Sequence, residues 1–199
     1  MRRVVLATGN MHKLREIGEM LGSSGIELVA QTALGITAAD ETGQSFIDNA
    51  LLKARHAAAH ARLPAIAEDS GIEVAALDAR PGIYSARYAG VQASDEENLK
   101  KLVEQLALVP DERRGARYVC AMVYVQSASD PSPIVCEGHW SGRIARERRG
   151  SNGFGYDPVF FVPELGATAA QLDSALKNAM SHRGQALRAL LAALLAAQH

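Results

Sequence analysis

Short apolar runs alternate with segments of helical periodicity along the first half of the chain. Val4 to Ala7 is apolar and partly β-branched and ends in Thr8-Gly9-Asn10, after which apolar residues recur at helical spacing between positions 14 and 21. Glu27 to Ala30 is apolar enough to form a second strand, and Thr32 to Gly43 has the scattered Thr, Gly and acidic residues typical of a loop. The pattern predicts strand, tight turn, helix and strand.

A second helix and an acidic turn follow. Helical periodicity begins near Ser45 and continues to about Ala61, and Pro64 marks its end. Ala65 to Ala67 is apolar and leads into Glu68-Asp69-Ser70-Gly71. We predict a strand that ends in an acidic turn, with residues 72–77 leaving the turn as another short strand.

The second half of the chain predicts further strands between helices. Ser94 and Glu97 form a capping-box pattern ahead of a helix that Pro110 ends. Apolar runs predict strands at 117–125 and 133–140, paired as a hairpin, and at 159–162. Leucines at i, i+3, i+4, i+7 and i+8 spacing from Leu187 predict a final amphipathic helix with Ser181 as its N-cap. No linker divides the chain, so we predict one α/β domain over residues 1–199.

Composition excludes several classes of protein. With 199 residues, 48% of them hydrophobic, the chain can bury a core without disulfides or a structural metal. Lys and Arg number 21 against 22 Asp and Glu, a balance that disfavours nucleic acid as a partner. Cys120 and Cys136 lack zinc-site spacing and are predicted to be core thiols. With no membrane-spanning run or signal-peptide core, we predict a cytoplasmic protein without a membrane partner.

Thr8-Gly9-Asn10 with Lys13 is the first candidate site. These residues lie where a strand leads into a helix, whose N-terminal N–H groups attract anions. The pattern matches neither of the common phosphate-loop motifs. A plain turn with a surface lysine therefore stays open beside a phosphate-binding role.

Carboxylates form the second candidate site. Glu41 lies in a loop, and Glu68 and Asp69 follow a buried strand, where carboxylates need a compensating cation. Oxygen ligands of this kind suit Mg²⁺ held jointly with substrate phosphates. The alternative is a solvated turn in which Asp69 or Ser70 caps a backbone N–H. Because consecutive strand residues point to opposite faces, Glu68 and Asp69 need not share a role.

Cations near the last helix form the third candidate site. Ser181-His182-Arg183 opens the helix, where the dipole disfavours positive charge, so a carbonyl or anionic ligand is one explanation and a structural ion pair is the other. Lys177 lies just upstream, near the end of a short helix opened by Asp173. On its own it has the position of a lysine that interacts with a helix dipole.

Gly153-Phe154-Gly155-Tyr156-Asp157-Pro158 is the fourth candidate site. A ring between glycines is accessible to a flat ligand such as a nucleobase, whereas a β-turn with a packing Phe is the alternative. Arg143 to Arg149 is a basic run, interpreted as a solvated loop and secondarily as a patch that steers anions.

These motifs occur in one order along almost the whole chain. They are Thr8-Gly9-Asn10 with Lys13, Glu41-Thr42-Gly43 with Phe46, Asn49-Ala50 with Lys53-Ala54, Glu68-Asp69-Ser70-Gly71, Pro81-Gly82 with Ser85-Ala86-Arg87, Gly153 to Pro158, and Lys177-Asn178 with Ser181-His182-Arg183-Gly184. In this order they resemble the inosine triphosphate pyrophosphatase family, which hydrolyses non-standard purine nucleoside triphosphates.

The resemblance implies an elongated α/β fold with a long mixed sheet, a cleft between two lobes, a homodimer and Mg²⁺ dependence. It implies a general base, Asp69, and a metal site made by Glu41 and Asp69, with Glu68 as a further possible ligand. It also implies a set of substrate-binding residues. Those implied for the triphosphate are Thr8, Gly9, Asn10, Lys13 and Lys53, and Ser70 is implied to contact substrate. For the purine, the resemblance implies stacking by Phe154, a base pocket lined by Gly155, Tyr156 and Asp157, contact of Lys177 with base or phosphate, and recognition of the 6-oxo edge by His182 and Arg183.

The reaction implied is attack of water on the α-phosphorus of ITP, dITP or XTP, giving a nucleoside monophosphate and pyrophosphate and so clearing these nucleotides from the pool. Two other classes of function stay open on the residues alone. One is a module that binds purine triphosphates without turnover. The other is a nucleic-acid scaffold using Phe154 and the arginine run, which the near-neutral charge disfavours.

Overall fold

The computed structural model describes residues 2–22 and 25–197. The strands are β1 (Arg2–Leu6), β2 (Ile26–Ala30), β3 (Ala65–Val74), β4 (Gly115–Val125), β5 (Ile134–Ile144), β6 (Phe160–Val162) and β7 (Ala167–Thr168). The helices are α1 (Met11–Leu21), α2 (Phe46–Ala61), α3 (Asp95–Gln105), α4 (Ser174–Met180) and α5 (His182–Ala196). The predicted α/β class is confirmed.

One mixed sheet contains all seven strands, in the order β2-β1-β3-β4-β5-β6-β7. β1 is parallel to both β2 and β3, with Val5 opposite Val29 on one side and Ala65 on the other. β6 is antiparallel to both β5 and β7. The mixed sheet that the family resemblance implies is therefore present.

The backbone forms two compact units. The first comprises Met1–Asp69, Cys120–Gly138 and His182–His199, within the described residues, and its core packs α1 and α5 on β1, β3 and β4. The predicted stripe of the last helix is largely confirmed, because Leu187, Leu190 and Leu194 are buried there, although Leu195 is exposed.

The second unit comprises Ser70–Val119 and His139–Ser181 and has a separate core. Its centre is an aromatic cluster in which the Phe160 ring lies 4.5 Å from that of Tyr118 and 5.1 Å from that of Trp140, centroid to centroid. Aliphatic side chains of α3, among them Leu102, complete the core.

Helix starts agree with the sequence. Ser45 caps α2 by accepting a hydrogen bond from the Asp48 N–H. The predicted capping box of α3 is formed, since Ser94 and Glu97 each accept from the other's backbone N–H. Ser181 precedes α5 with extended backbone angles, as an N-cap residue does.

The predicted acidic turn at Glu68-Asp69-Ser70-Gly71 is wrong. β3 continues without a break through these residues to Val74. The sequence predicts a turn because buried carboxylates are unfavourable, but here cations from other elements compensate both carboxylates, so the backbone stays extended. Within the described ranges, no helix is long and apolar enough to cross a bilayer.

Candidate active site

The turn between β1 and α1 is closed by its own side chains. Asn10 Oδ1 accepts hydrogen bonds from the backbone N–H groups of His12 (2.9 Å) and Lys13 (3.2 Å), and Thr8 Oγ1 accepts from the Asn10 N–H (3.1 Å). Asn10 is thus the N-cap of α1. A Cβ added to Gly9 would meet nothing within 4 Å, so the turn offers open space at this residue.

Lys13 belongs to a chain of buried charged groups, which we call the Glu68 network. Its Nζ lies 2.8 Å from Glu68 Oε1, and Arg183 Nη2 lies 3.3 Å from the same oxygen. Arg183 Nη1 lies 2.6 Å from Glu16 Oε2, and the Cys120 thiol donates to Glu68 Oε2 at 3.3 Å. Negative and positive groups alternate from Glu16 to Lys13, which compensates each buried charge.

Electrostatics fixes the protonation of this network. Burial alone would raise the pKa of Glu68, but Arg183 and Lys13 outweigh it and hold that pKa well below the usual range. Burial raises the pKa of the Cys120 thiol, and the Glu68 charge raises it further. Glu68 is therefore ionised at neutral pH, and Cys120 is a protonated donor.

Asp69 lies in a second group of contacts, the Asp69 network. Lys53 Nζ, on α2, is 2.7 Å from Asp69 Oδ1 and 2.9 Å from Glu41 Oε1. Asn49, one helical turn before Lys53, donates from Nδ2 to Asp69 Oδ2 at 3.3 Å and accepts from the Gly43 N–H at 2.8 Å. Asn49 thereby ties Asp69 to the loop that carries Glu41.

Gly43 allows this loop to approach α2. A Cβ at position 43 would lie 2.6 Å from the Asp48 Cβ and 2.7 Å from Asn49 Oδ1, closer than atoms can pack. The glycine of the Glu41-Thr42-Gly43 motif is therefore required by close approach of the backbone to α2.

The Asp69 network contains a basic carboxylate and a charged lysine. Burial raises the pKa of Asp69 above its ordinary value, and Lys53 offsets only part of this effect. Burial lowers the pKa of Lys53, but Asp69 and Glu41 more than compensate and the net shift is upward. Asp69 is therefore a better proton acceptor than an exposed aspartate, and Lys53 keeps its charge.

The two neighbouring carboxylates have different partners. Glu68 contacts Lys13, Arg183 and Cys120, whereas Asp69 contacts Lys53 and Asn49. This separation agrees with the expectation that Glu68 and Asp69, as consecutive strand residues, need not share a role.

The donor set of the Asp69 network suits Mg²⁺ shared with a phosphate. Glu41 and Asp69 supply hard oxygen donors close to one ammonium group, so this region already accommodates a positive charge. Among the described residues, no group of three or more His, Cys, Asp or Glu forms a metal site. The two carboxylates fit an ion that takes its remaining ligands from phosphate and water, as Mg²⁺ commonly does.

The Phe154 loop lies in the second unit and folds around a buried carboxylate. Asp157 Oδ2 accepts from the Phe154 N–H (3.0 Å) and from Lys177 Nζ (2.6 Å), and Asp157 Oδ1 accepts from the Tyr118 hydroxyl (3.2 Å). Gly153 has φ +73°, and a Cβ there would lie 2.0 Å from Asp157 Oδ2. This loop conformation therefore requires glycine at position 153.

The loop brings together Phe154, predicted to stack on the purine, and Lys177, predicted to contact base or phosphate. Phe154 is half-buried, and Lys177 Nζ lies 5.1 Å from the centre of its ring. Tyr156 is buried and donates its hydroxyl to the Ser85 carbonyl at 2.8 Å, so it shapes the loop from within. Ser70 is half-buried in β3, next to Asp69 in sequence.

Arg183 forms the structural ion pairs that the sequence left open. Its side chain contacts Glu16 and Glu68 and is almost completely buried, as is that of His182. Recognition of a 6-oxo group by these two residues stays a prediction.

Sequence reasoning assigned no site role to three residues of these networks, Glu16, Asn49 and Cys120, although Asn49 lies in one of the motifs of the family resemblance. Helical spacing contains a signal for two of them. Asn49 precedes Lys53 by four residues and Glu16 follows Lys13 by three, so each shares a helix face with a predicted site lysine. Cys120 carries no such signal, because its contact with Glu68 joins separate strands.

The fold and the site together define a class of protein. It is an α/β protein with a mixed sheet, in which lysine–carboxylate pairs lie beside a strand–turn–helix whose helix has a side-chain N-cap. The family model described as the Ham1 family matches residues 4–193. The chain belongs to this family.

Curated relatives and solved structures agree with this assignment. The chain is 59% identical over 194 residues to a dITP/XTP pyrophosphatase of Pectobacterium atrosepticum and 57% identical to one of Escherichia coli K12, each alignment covering 98% of both proteins. A HAM1 protein from Coxiella burnetii has a TM-score of 0.90 at 47% identity, covering 98% of this chain and 99% of that one. A nucleoside-triphosphatase/dITP/XTP pyrophosphatase from Mycobacterium abscessus has a TM-score of 0.74 at 45% identity, covering 95% and 98%.

Proposed function

We propose that the protein hydrolyses the non-standard purine nucleoside triphosphates dITP, XTP and ITP to the nucleoside monophosphate and pyrophosphate. The observation that carries the proposal is the Asp69 network, in which a basic carboxylate, a charged lysine and a second carboxylate meet. Full-length relatives at 57 to 59% identity that are named dITP/XTP pyrophosphatases support the same reaction.

Lys13 and Lys53 bind the triphosphate in this proposal. Each ammonium is mostly buried and already contacts a carboxylate, so its position is fixed before substrate arrives. Fixed positive charge stabilises the negative charge that develops on the departing pyrophosphate, because no reorganisation is needed during the reaction.

Asp69 accepts the proton of the attacking water. Lys53 and Asn49 occupy one position on each carboxylate oxygen, and a carboxylate has about four acceptor positions, so acceptor capacity remains for water. The raised pKa of Asp69 strengthens it as a base. A proton of the attacking water passes to Asp69 while the water oxygen bonds to the α-phosphorus. At the same time the bond between the α-phosphorus and the oxygen of the departing pyrophosphate breaks.

Glu41 and Asp69 would hold Mg²⁺ together with phosphate oxygens of the substrate. When bound, the ion neutralises phosphate charge and polarises the phosphoryl group. Lys53 contacts the same two carboxylates and keeps them in place.

Phe154 offers its half-buried ring as a stacking surface for the purine, supported by the Lys177 ammonium. Donors aimed at a 6-oxo group would be left unpaired by the 6-amino group of adenine, a mismatch that discriminates by about 10⁴-fold. ATP should therefore be a poor substrate.

Product analysis tests the proposal. Purified protein with Mg²⁺ should convert ITP, dITP and XTP to monophosphate and pyrophosphate, which ion-exchange chromatography separates from orthophosphate. Asp69→Asn should abolish this conversion while circular dichroism stays that of the wild type. Intact ITP, or release of orthophosphate alone, would refute the proposal; full activity of Asp69→Asn would remove Asp69 as the base.

We propose further that the protein acts in the cytoplasm as a homodimer. The family resemblance implies the homodimer, whereas the cytoplasmic location is the prediction made from the sequence. Light scattering coupled to size-exclusion chromatography should give twice the mass of the 199-residue chain, and the mass of one chain would contradict the dimer.

A further inference from the structure

The second unit contains a cavity rich in arginine, which we call the arginine cavity. Its volume is about 350 Å³, and four arginines are among the residues that line it, Arg114, Arg143, Arg146 and Arg149. None of them is among the residues proposed for nucleotide hydrolysis.

Arg114 is a buried cation held by neutral groups. Only 2% of its surface is exposed. It donates to three backbone carbonyls, from Nε to Ile144 (2.8 Å), from Nη1 to Leu106 (2.6 Å) and from Nη2 to Ala145 (3.2 Å). In the part of the chain that the structure describes, no carboxylate pairs with Arg114. Buried charges are normally paired, whereas the direct hydrogen-bond partners of this one are neutral carbonyl groups.

Arg146 pairs with a carboxylate that could otherwise compensate the charge of Arg114. It pairs at 2.7 Å with Asp111, which lies three residues before Arg114 in sequence. Burial and the charge of Arg146 both lower the pKa of Arg114, and Asp111 offsets this only in part. The like charges of Arg114 and Arg146 therefore lie close enough to repel each other.

Two further arginines, Arg143 and Arg149, line the cavity. The guanidinium of Arg143 lies over the Phe161 ring, 4.6 Å from its centre, which fixes the orientation of the group. Neither Arg143 nor Arg149 forms an ion pair with a carboxylate in the described ranges. The lining contains four arginines and two carboxylates, Asp111 and Glu147, so its net charge is positive.

We propose that the arginine cavity binds a small phosphate-bearing anion of the pyrophosphate class. Guanidinium forks match phosphate oxygens in pairs, and an anion with two or more charges would balance the excess of positive charge in the lining. The volume lies at the lower end of the range for ligand sites, about 300 to 1,000 Å³, and so favours a compact anion. This site goes beyond the proposed hydrolysis.

Inorganic pyrophosphate is the probe, and the side-chain Nε–H signals of Arg114 and Arg146 in NMR spectra are the readout. We expect these signals to shift and saturate as pyrophosphate is added without nucleotide. The double variant Arg143→Ala/Arg149→Ala changes two exposed side chains and should fold. It should bind about a hundredfold more weakly at this site, about tenfold for each lost charged hydrogen-bonding group.

A double variant with the same change of charge is the control. Arg15→Ala/Lys100→Ala removes two exposed cations from helical surface pairs and should leave the shifts unchanged. Signals of Arg114 and Arg146 that do not move or do not saturate, or equal binding by the Arg143→Ala/Arg149→Ala variant, would overturn the proposal. Equal affinity for sulfate would overturn the phosphate class. Because the experiment involves no turnover, its failure would leave the proposed hydrolysis untouched.

Discussion

The two carboxylate oxygens of Asp69 have different hydrogen-bond partners. A charged lysine contacts one and a neutral amide donates to the other, and that amide belongs to Asn49, which is completely buried. The ammonium supplies charge compensation, whereas the amide supplies direction and connects Asp69 to Gly43. Asn49 is thus a positioning residue in the proposed reaction.

Asn49→Asp tests this role with little change in shape. An aspartate at position 49 still accepts from the Gly43 N–H but cannot donate to Asp69 when ionised, and it repels that carboxylate. We expect kcat for ITP to fall by about 10- to 100-fold, the equivalent of a lost hydrogen bond to a charged group, with a smaller change in KM. Steady-state kinetics measures both constants.

Asn98→Asp is the matched control. Asn98 is also buried and joins two backbone groups, accepting from the Ala89 N–H at 2.7 Å and donating to the Ala86 carbonyl at 3.1 Å. Asn98→Asp should lower the melting temperature while folded molecules keep their kcat. Equal loss of kcat in both variants would show that Asn49 acts only through stability.

The two cysteines should differ in reactivity. Cys120 is fully buried and its pKa is raised well above normal by burial and by Glu68, whereas Cys136 is only half-buried. Because the thiolate is the nucleophile, iodoacetamide should label Cys136 slowly in the native protein and Cys120 only after denaturation. Mass spectrometry of peptides checks this; native labelling of Cys120 at the rate of Cys136 would contradict the described burial.

Local patterns were sufficient for most helices and strands. The capping box at Ser94 and Glu97, the helix start near Ser45 and the alternation of apolar runs each depend on neighbours in sequence. The unbroken β3 depends on Lys13, Lys53 and Arg183, which come from other elements. No pattern within residues 65–74 contains that information, so the sequence predicts a turn where the structure has a strand.

The residues of the candidate site also divide into those that local patterns predict and those that depend on contacts between distant parts of the chain. Lys13, Lys53 and Asp69 could be named from short motifs and the family resemblance. Asn49 belongs to one of these motifs, but its role, like that of Glu16, follows only when a helix face is considered, and that of Cys120 only when strands pair. The ion pairs of Arg183 join residues 115 and 167 positions apart, a separation that no local pattern reports.

β5 and the start of α5 are packed backbone to backbone in the first unit. A Cβ at Gly138 would lie 2.0 Å from the His182 carbonyl oxygen and 2.8 Å from the Ala186 nitrogen. Gly138→Ala should therefore destabilise the protein by about 3 kcal/mol or more, the upper end of overpacking costs. Chemical denaturation followed by circular dichroism measures this.

Gly115→Ala in β4 provides the comparison. A Cβ at Gly115 meets nothing within 4 Å, so alanine there should change stability by less than about 1 kcal/mol. Similar stability of the two variants would contradict the close contact of β5 with α5.

At the scale of the whole molecule, the buried residue Tyr156 makes the free energy of unfolding depend on pH in the alkaline range. Burial, followed by the charges of Tyr88 and Asp95, raises the pKa of Tyr156 above the 10.0 of an exposed phenol. The fold therefore favours the neutral form. Above about pH 10 the unfolded chain loses this proton first, so the free energy of unfolding falls as pH rises and is unaffected by Tyr156 below that range.

Tyr156→Phe removes this contribution. The variant should be less stable at neutral pH, because the hydrogen bond to the Ser85 carbonyl is lost, yet its stability should fall less steeply above pH 10. Urea unfolding at a series of pH values measures the slope. Tyr84→Phe, at an exposed position, should retain the wild-type slope; an unchanged slope in Tyr156→Phe would contradict the assignment.

The alternation of side chains along β3 also limits how the gene can vary in length. Loss or gain of a single codon between Ala65 and Glu68 would exchange the two carboxylates between the faces of the strand and leave each opposite the wrong cations. The connection between β4 and β5 carries no such constraint, so natural length variation should accumulate there and be absent from this strand.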